Sequence, residues 1–219
     1  MCGFAGIFGQ EWTRAQLQAM LDWRRRGPDG EGIFFDWTGI AGLASIRYAL
    51  GSPAAAADAQ PVSNLDQTVW VISSGEIRNQ AELKAELRDY PFRTGSTAEL
   101  ILAAYQRWGI HCPERLHGPV AFLLWDAQRM SAFAVRDRIG IVPLHFHRKP
   151  DGTLLLAGDL RALHAAGVHA LPDESVWASY LAFGSRAPAG RTFWRDIHTV
   201  PPRPCLALGG RRNAPPPLV

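Results

Sequence analysis

The apolar positions of this chain change period along its length, and the changes mark out its elements. Cys2 to Phe8 is short, apolar and interrupted by glycine, the pattern of a buried strand that neighbouring backbone approaches closely. From Thr13 to Trp23 the spacing lengthens to that of a helix, with Leu17, Met20 and Leu21 on one face and Thr13 as its cap. Gly27-Pro28-Asp29-Gly30 forces a turn, after which Ile33 to Trp37 and Ile40 to Ile46 read as strands. The alanine-rich stretch Ala54 to Ala59 predicts a loop, Thr68 to Ser73 another strand, and Asn79 to Leu87 a second helix.

Thr97 to Trp108 repeats the helical spacing, with Leu100, Ile101, Ala104 and Tyr105 on one face. Val120 to Trp125, Ser131 to Val135, Val142 to His147 and Thr153 to Ala157 then follow closely, separated by turn signals such as Pro150-Asp151-Gly152; that spacing predicts an antiparallel meander. Leu160 to Ala166 and Glu174 to Phe183 read as helices, and Gly209 to Val219, with Gly-Gly, Arg-Arg and three prolines, as a linker-like tail. Strands at both ends with helices between them define an α+β domain over residues 1–208.

Composition narrows the function classes. With 219 residues, the chain is long enough for one substantial core. Its net charge of +3 comes from scattered arginines largely balanced by Asp and Glu, too dispersed for a nucleic-acid-binding face; Arg24-Arg25-Arg26 reads as a short solvated or carboxylate-paired run. Cys2, Cys112 and Cys205 share no metal-ligand spacing, so neither a metal site nor a disulfide framework is expected, and a reducing cytoplasm is the expected setting. No secretory leader and no bilayer-spanning apolar run is legible, so no membrane association is expected. Neither a phosphate-cradling loop nor the Ser-Gly-Gly-x-Asp-Ser signature of pyrophosphate-releasing ATP enzymes occurs, so no nucleotide cofactor is expected in this chain.

The strongest single chemical feature is Cys2, directly after the initiator methionine. Removal of Met1 would leave a thiol and a free α-amine on one residue, a nucleophile and a base within reach of each other. Taken alone, a small residue in a buried strand explains Cys2 better than a nucleophile does. The segments around it decide otherwise. MCGFAGIF, RRRGPDGEG (24–32), LASIRYAL (43–50), AQPV (59–62), SGEIRNQ (74–80), FRTGSTAELI (92–101), LHGPVAFLLWD (116–126), VRDRIGIVPLHF (135–146), AGDLRALHAAG (157–167) and YLAFG (180–184), all in order, resemble the amino-terminal half of asparagine synthetases.

That resemblance implies a type 2 glutamine amidotransferase domain with the four-layer α/β/β/α N-terminal-nucleophile hydrolase fold, two stacked antiparallel sheets between helices. It implies that Cys2 attacks the side-chain amide of glutamine, that Arg47 grips the substrate α-carboxylate, and that Leu50 and Gly51 line the pocket with backbone groups. Gly75 falls where a backbone N–H meets the oxyanion, and Glu76 where an acid receives the substrate ammonium. Arg136-Asp137-Arg138 is expected to form an internal charge network. The family's further half, which uses ATP and Mg, is absent from this stretch, and a synthetase-like partner domain or subunit is expected; apolar residues near Phe183 or the proline-rich end would supply its docking surface.

Two positions depart from the family pattern. Ser74 replaces an asparagine whose amide is the second oxyanion donor, a loss worth ~10²–10³ in rate if nothing replaces it. Thr97 replaces an aspartate expected to pair with the substrate ammonium, and a hydrogen bond to a charged group is worth ~1.5–3 kcal/mol. Three readings follow: a glutaminase, a weakened pseudo-glutaminase that binds a partner, or an N-terminal-nucleophile hydrolase of another amide.

Overall fold

The computed structural model describes residues 3–22, 30–47, 59–184, 190–202 and 206–208. Its strands form two antiparallel sheets. Sheet A runs, edge to edge, His198–Thr199 (β10), His145–Arg148 (β8), Leu154–Ala157 (β9), Gly3–Phe8 (β1), Ala41–Arg47 (β3) and Gly30–Phe35 (β2). Sheet B runs Leu206–Leu208 (β11), Ser131–Arg136 (β7), Val120–Asp126 (β6), Val69–Gly75 (β5) and Val62–Ser63 (β4).

The period of two along each strand splits the core into layers. Phe4, Phe8 and Leu43 of sheet A meet Ile72, Leu123 and Trp125 of sheet B in the space between the sheets. Ala5, Ile7, Ala44 and Leu155 turn outward, against Leu17, Met20, Leu21 and Leu163. The helices Arg14–Ala19 (α1) and Leu160–Ala165 (α4) supply that outer layer, and Gln80–Glu86 (α2) and Thr97–Trp108 (α3) cover the opposite side of sheet B. This is the α/β/β/α sandwich that the family resemblance implies. At the far end, Trp125 Nε1 donates to Asp36 Oδ1 at 3.1 Å, tying the β2–β3 turn to sheet B.

The helices Thr97–Trp108 and Glu174–Phe183 (α5) fall on their expected bounds. The first helix stops at Ala19, four residues early; Thr13 caps it through a full capping box with Gln16. Trp37 stands outside β2, in a turn, at 88% exposure. Helix α3 is buried all round from Ala98 to Tyr105 and not on one face only, because α2 and a 3-10 helix at Gly109–Glu114 pack beside it.

The expected meander is corrected. β6 and β7 belong to sheet B, whereas β8 and β9 belong to sheet A, so the chain changes sheets between residues 137 and 144. There the Asp137 carboxylate accepts the N–H groups of Ile141 and Val142, both at 2.9 Å. Those donors are lost to any ladder, and β8 starts only at His145. Cys2 in the first expected strand, the turn at 27–29, the greater part of the alanine-rich loop and the 209–219 tail lie outside the described residues.

Candidate active site at the shared end of the two sheets

At one end of the sandwich the space between the sheets changes from apolar to polar. Gly3, which follows Cys2 in sequence, opens β1 opposite Ile46, and Arg47 closes β3 opposite Gly30. The alternation that sends Leu43 between the sheets also sends Ser45 and Arg47 there. On sheet B the same rule sends Ser74 inward behind Ile72, and Ser74 is 5% exposed. Arg136, at the end of β7, shares that inner face with Ala132 and Ala134.

Gln60 joins the two sheets at this end. Its backbone carbonyl accepts from Ser45 Oγ at 2.8 Å, and its side-chain carbonyl accepts the Ser73 N–H at 2.6 Å. Immediately beyond Ser73 and Ser74, Gly75 takes φ +95°, a left-handed backbone region that favours glycine, and a Cβ there would lie 2.0 Å from the Pro119 carbonyl oxygen. The chain then runs beside residues 117–120, Glu76 N–H donating to Pro119 O at 2.9 Å and Arg78 N–H to His117 O at 2.7 Å. The Glu76 side chain is exposed.

The segment after β7 is fixed by charges spent on backbone. Arg136 donates to the carbonyls of Val142 (2.8 Å), Val200 (3.2 Å) and Gly140 (2.6 Å). Burial pulls its guanidinium below the usual arginine range, against an opposing pull from Asp137. The expected charge network around 136–138 is therefore an anchor for the backbone of 140–142, and Arg138 likewise donates to the Glu114 carbonyl at 3.0 Å. His145 adds no charge at neutral pH, because burial first and Arg136 second take its imidazole down to about 4, with Asp159 opposing.

Thr97 is reached from the outer layer. It is the first residue of α3, half-buried, behind a loop wrapped on the Glu99 carboxylate. Glu99 accepts the N–H groups of Arg93 (2.8 Å), Thr94 (2.7 Å) and Gly95 (2.6 Å) and the Thr94 hydroxyl (2.8 Å), while Ser96 Oγ caps the helix by accepting the Glu99 N–H at 3.2 Å. Burial would push this carboxyl up, but the four donors outweigh it and hold it below its ordinary value.

Of the residues singled out from sequence, Arg47, Ser74 and Gly75 thus lie at the same end of the sandwich, with Glu76 on its rim and Thr97 behind the pinned loop. Cys2, Leu50 and Gly51 lie outside the described residues. Sequence reasoning gave no role to Gln60 or Glu99. The latter had a legible signal, since Ser96-Thr97-Ala98-Glu99 has the capping-box form. A cavity of about 830 Å³ opens on the other face of sheet B, among Phe122, Val135, Arg78, Arg138 and Ile141, and Ser74 turns away from it. Among the described residues no group of three or more His, Cys, Asp or Glu side chains is placed to hold a metal ion.

The fold is that of the N-terminal-nucleophile amidotransferases. A glutamine phosphoribosylpyrophosphate amidotransferase from B. subtilis superposes with a TM-score of 0.61 at 20% identity over 76% of this chain and 44% of that one. A structure described as the allosteric regulatory enzyme of purine biosynthesis gives 0.66 at 20% identity, covering 76% and 43%.

Residues 1–214 match the family model described as a glutamine amidotransferase domain, and the chain belongs to that family. It is 32% identical to a glutamine-hydrolysing asparagine synthetase of Bacillus subtilis over 197 residues, 84% of this chain and 30% of that protein. With asparagine synthetase B of Escherichia coli it shares 36% identity over 169 residues, 74% of this chain and 30% of the relative. The chain thus spans about 30% of the length of these relatives. No helix among the described residues is long and apolar enough to cross a membrane.

Proposed function

We propose that this domain hydrolyses glutamine to glutamate and ammonia through a thioester on Cys2 and supplies the ammonia to an asparagine-synthetase-like amidation. One observation supports the reading: the strand end that carries Arg47, beside the start of β1, and the strand end that carries Ser74 and Gly75 lie at the same end of the sandwich and are tied together through Gln60. Arg47 holds the substrate α-carboxylate as a two-pronged donor, and Glu76 receives the α-ammonium from the rim. With Met1 removed, the α-amine of Cys2 takes the thiol proton. The thiolate attacks the amide carbon, and the carbonyl electron pair moves onto oxygen, where the Gly75 N–H and the Ser74 hydroxyl meet it. Collapse expels ammonia, which leaves with the proton from the amine, and water then cleaves the thioester to glutamate and free thiol. A cytoplasmic setting keeps that thiol reduced.

The partner is an ATP-using module of the asparagine-synthetase kind, on a surface that includes the bare end of α5, where Leu181 is 76% and Phe183 82% exposed. Serine at 74 and threonine at 97 favour a second reading, a weakened glutaminase kept for partner binding or turned to another amide.

Intact-mass measurement of the cell-made protein tests the premise, since retention of Met1 would remove the enzyme reading. A glutamine-mimicking chloroketone should label Cys2 and fail to label Cys2→Ala. Ammonia release should rise in Ser74→Asn and Thr97→Asp. If neither change yields turnover, the partner-binding reading replaces the enzyme.

A further inference from the structure

Gln60 touches both halves of the site described above. Its backbone oxygen is held by Ser45, two residues before Arg47 on the same face of β3, and its side-chain oxygen holds the backbone of Ser73, the residue before Ser74. The contact with sheet A is possible only because Gly32, opposite Ser45, has no side chain: a Cβ there would lie 1.8 Å from the Gln60 carbonyl oxygen. β4 pairs with β5 only at Val62 and Ser63, so the Gln60 amide takes up the Ser73 N–H beyond the end of that ladder. A single residue therefore spans from the strand of the carboxylate clamp to the strand of the oxyanion donors.

We infer that Gln60 is a positioning residue that sets the separation and orientation of the Ser74-Gly75 oxyanion donors relative to Arg47. The inference rests on the glutaminase reading. Its chemical basis is the distance dependence of transition-state stabilisation: donors must lie within hydrogen-bond reach of the oxygen as charge develops, and a misplacement of about 1 Å can cost ~10²-fold in rate. The Ser73 N–H, fixed from one side, keeps the next two residues from drifting toward β6. With substrate anchored through its carboxylate at Arg47, that restraint acts on the reacting amide and hardly on the binding of the amino-acid head.

The test compares wild type, Gln60→Met, which keeps length and loses the strong acceptor, and Gln60→Glu, which keeps an acceptor oxygen. Hydrogen exchange of the Ser73 amide reads the tether directly, and steady-state ammonia release from glutamine reads its effect. Gln60→Met should expose the Ser73 amide to faster exchange and lower kcat by ~10–100-fold, with KM changed less than threefold and Cys2 reacting with iodoacetamide at the wild-type rate. Gln60→Glu should restore Ser73 protection and most of the lost kcat.

Unchanged kcat in Gln60→Met, a loss confined to KM, or a Gln60→Glu variant as slow as Gln60→Met would each overturn the inference. If wild type releases no ammonia, the same proteins are compared by the saturating rate at which a glutamine-mimicking chloroketone alkylates Cys2, with glutamine shielding of Cys2 from iodoacetamide as the binding control: an alkylation rate in Gln60→Met equal to that of wild type overturns the positioning role. Absence of shielding in wild type itself refutes the glutaminase reading on which the inference rests.

Discussion

Helices α3 and α5 are both stopped by a glycine and both capped by a side chain, Ser96 and Asp173, yet α3 buries eight of its twelve residues and α5 one of its ten, Val176. The difference lies in what covers them. α3 is walled in by sheet B, α2 and the 3-10 helix at Gly109–Glu114. α5 is held at its base, where Arg191 grips the Asp173 carboxylate at 2.6 and 3.1 Å and Trp177 and Tyr180 pack on Phe193, while its end shows Leu181 and Phe183 to solvent. An apolar helix is therefore a statement about what the residues can bury, and α5 leaves that capacity unused within the described residues.

The contrast can be broken or sharpened by substitution. Leu100→Ala, at a wholly buried site in α3, should have the largest effect, lowering stability by about 2–5 kcal/mol in denaturant titration. Glu99→Gln should cost about 1–3 kcal/mol by leaving backbone donors of 93–95 poorly matched. It should also change the acid limb of stability. The Glu99 carboxyl is lowered from 4.5 in the folded chain, so its contribution is present at neutral pH and lost as pH falls through the folded value; the variant should lack that loss in an acid titration of the melting temperature.

Asp173→Ala removes a cap and an ion pair from α5 and should cost about 1 kcal/mol, visible as faster amide exchange confined to that helix. The double change Leu181→Ser and Phe183→Ser should be smallest, within about 0.5 kcal/mol, while binding of a hydrophobic dye falls. A melting temperature several degrees lower in that double variant would mean that the α5 end is packed, and the comparison would not stand.

Much of the layer architecture was legible because strands and helices with long periods announce their buried faces. β4, β10 and β11 run for only two or three residues, too short for alternation to register. The change of sheets after Arg136 was hidden for another reason: a period of two tells which residues share a face, not which sheet the strand joins. At the site, the residues themselves single out Cys2 alone. Arg47, Ser74 and Gly75 were chosen through family resemblance, and the role of Gln60 depends on ties to Ser45 and Ser73 that no local pattern encodes. Glu99 was readable as part of a cap, but its grip on residues 93–95 adds a loop-folding role the motif does not carry.

The central place of β1 has a consequence for biosynthesis. One of its flanks is closed by β3, but the other pairs with Leu154–Ala157, about 150 residues further along, which at ~5–20 residues per second reach completion roughly 8–30 s later. During that interval the first strand has an open side on the nascent chain. Excision of the initiator methionine, on which the proposed thiol chemistry depends, has this natural window before the ribosome delivers the strand that closes it.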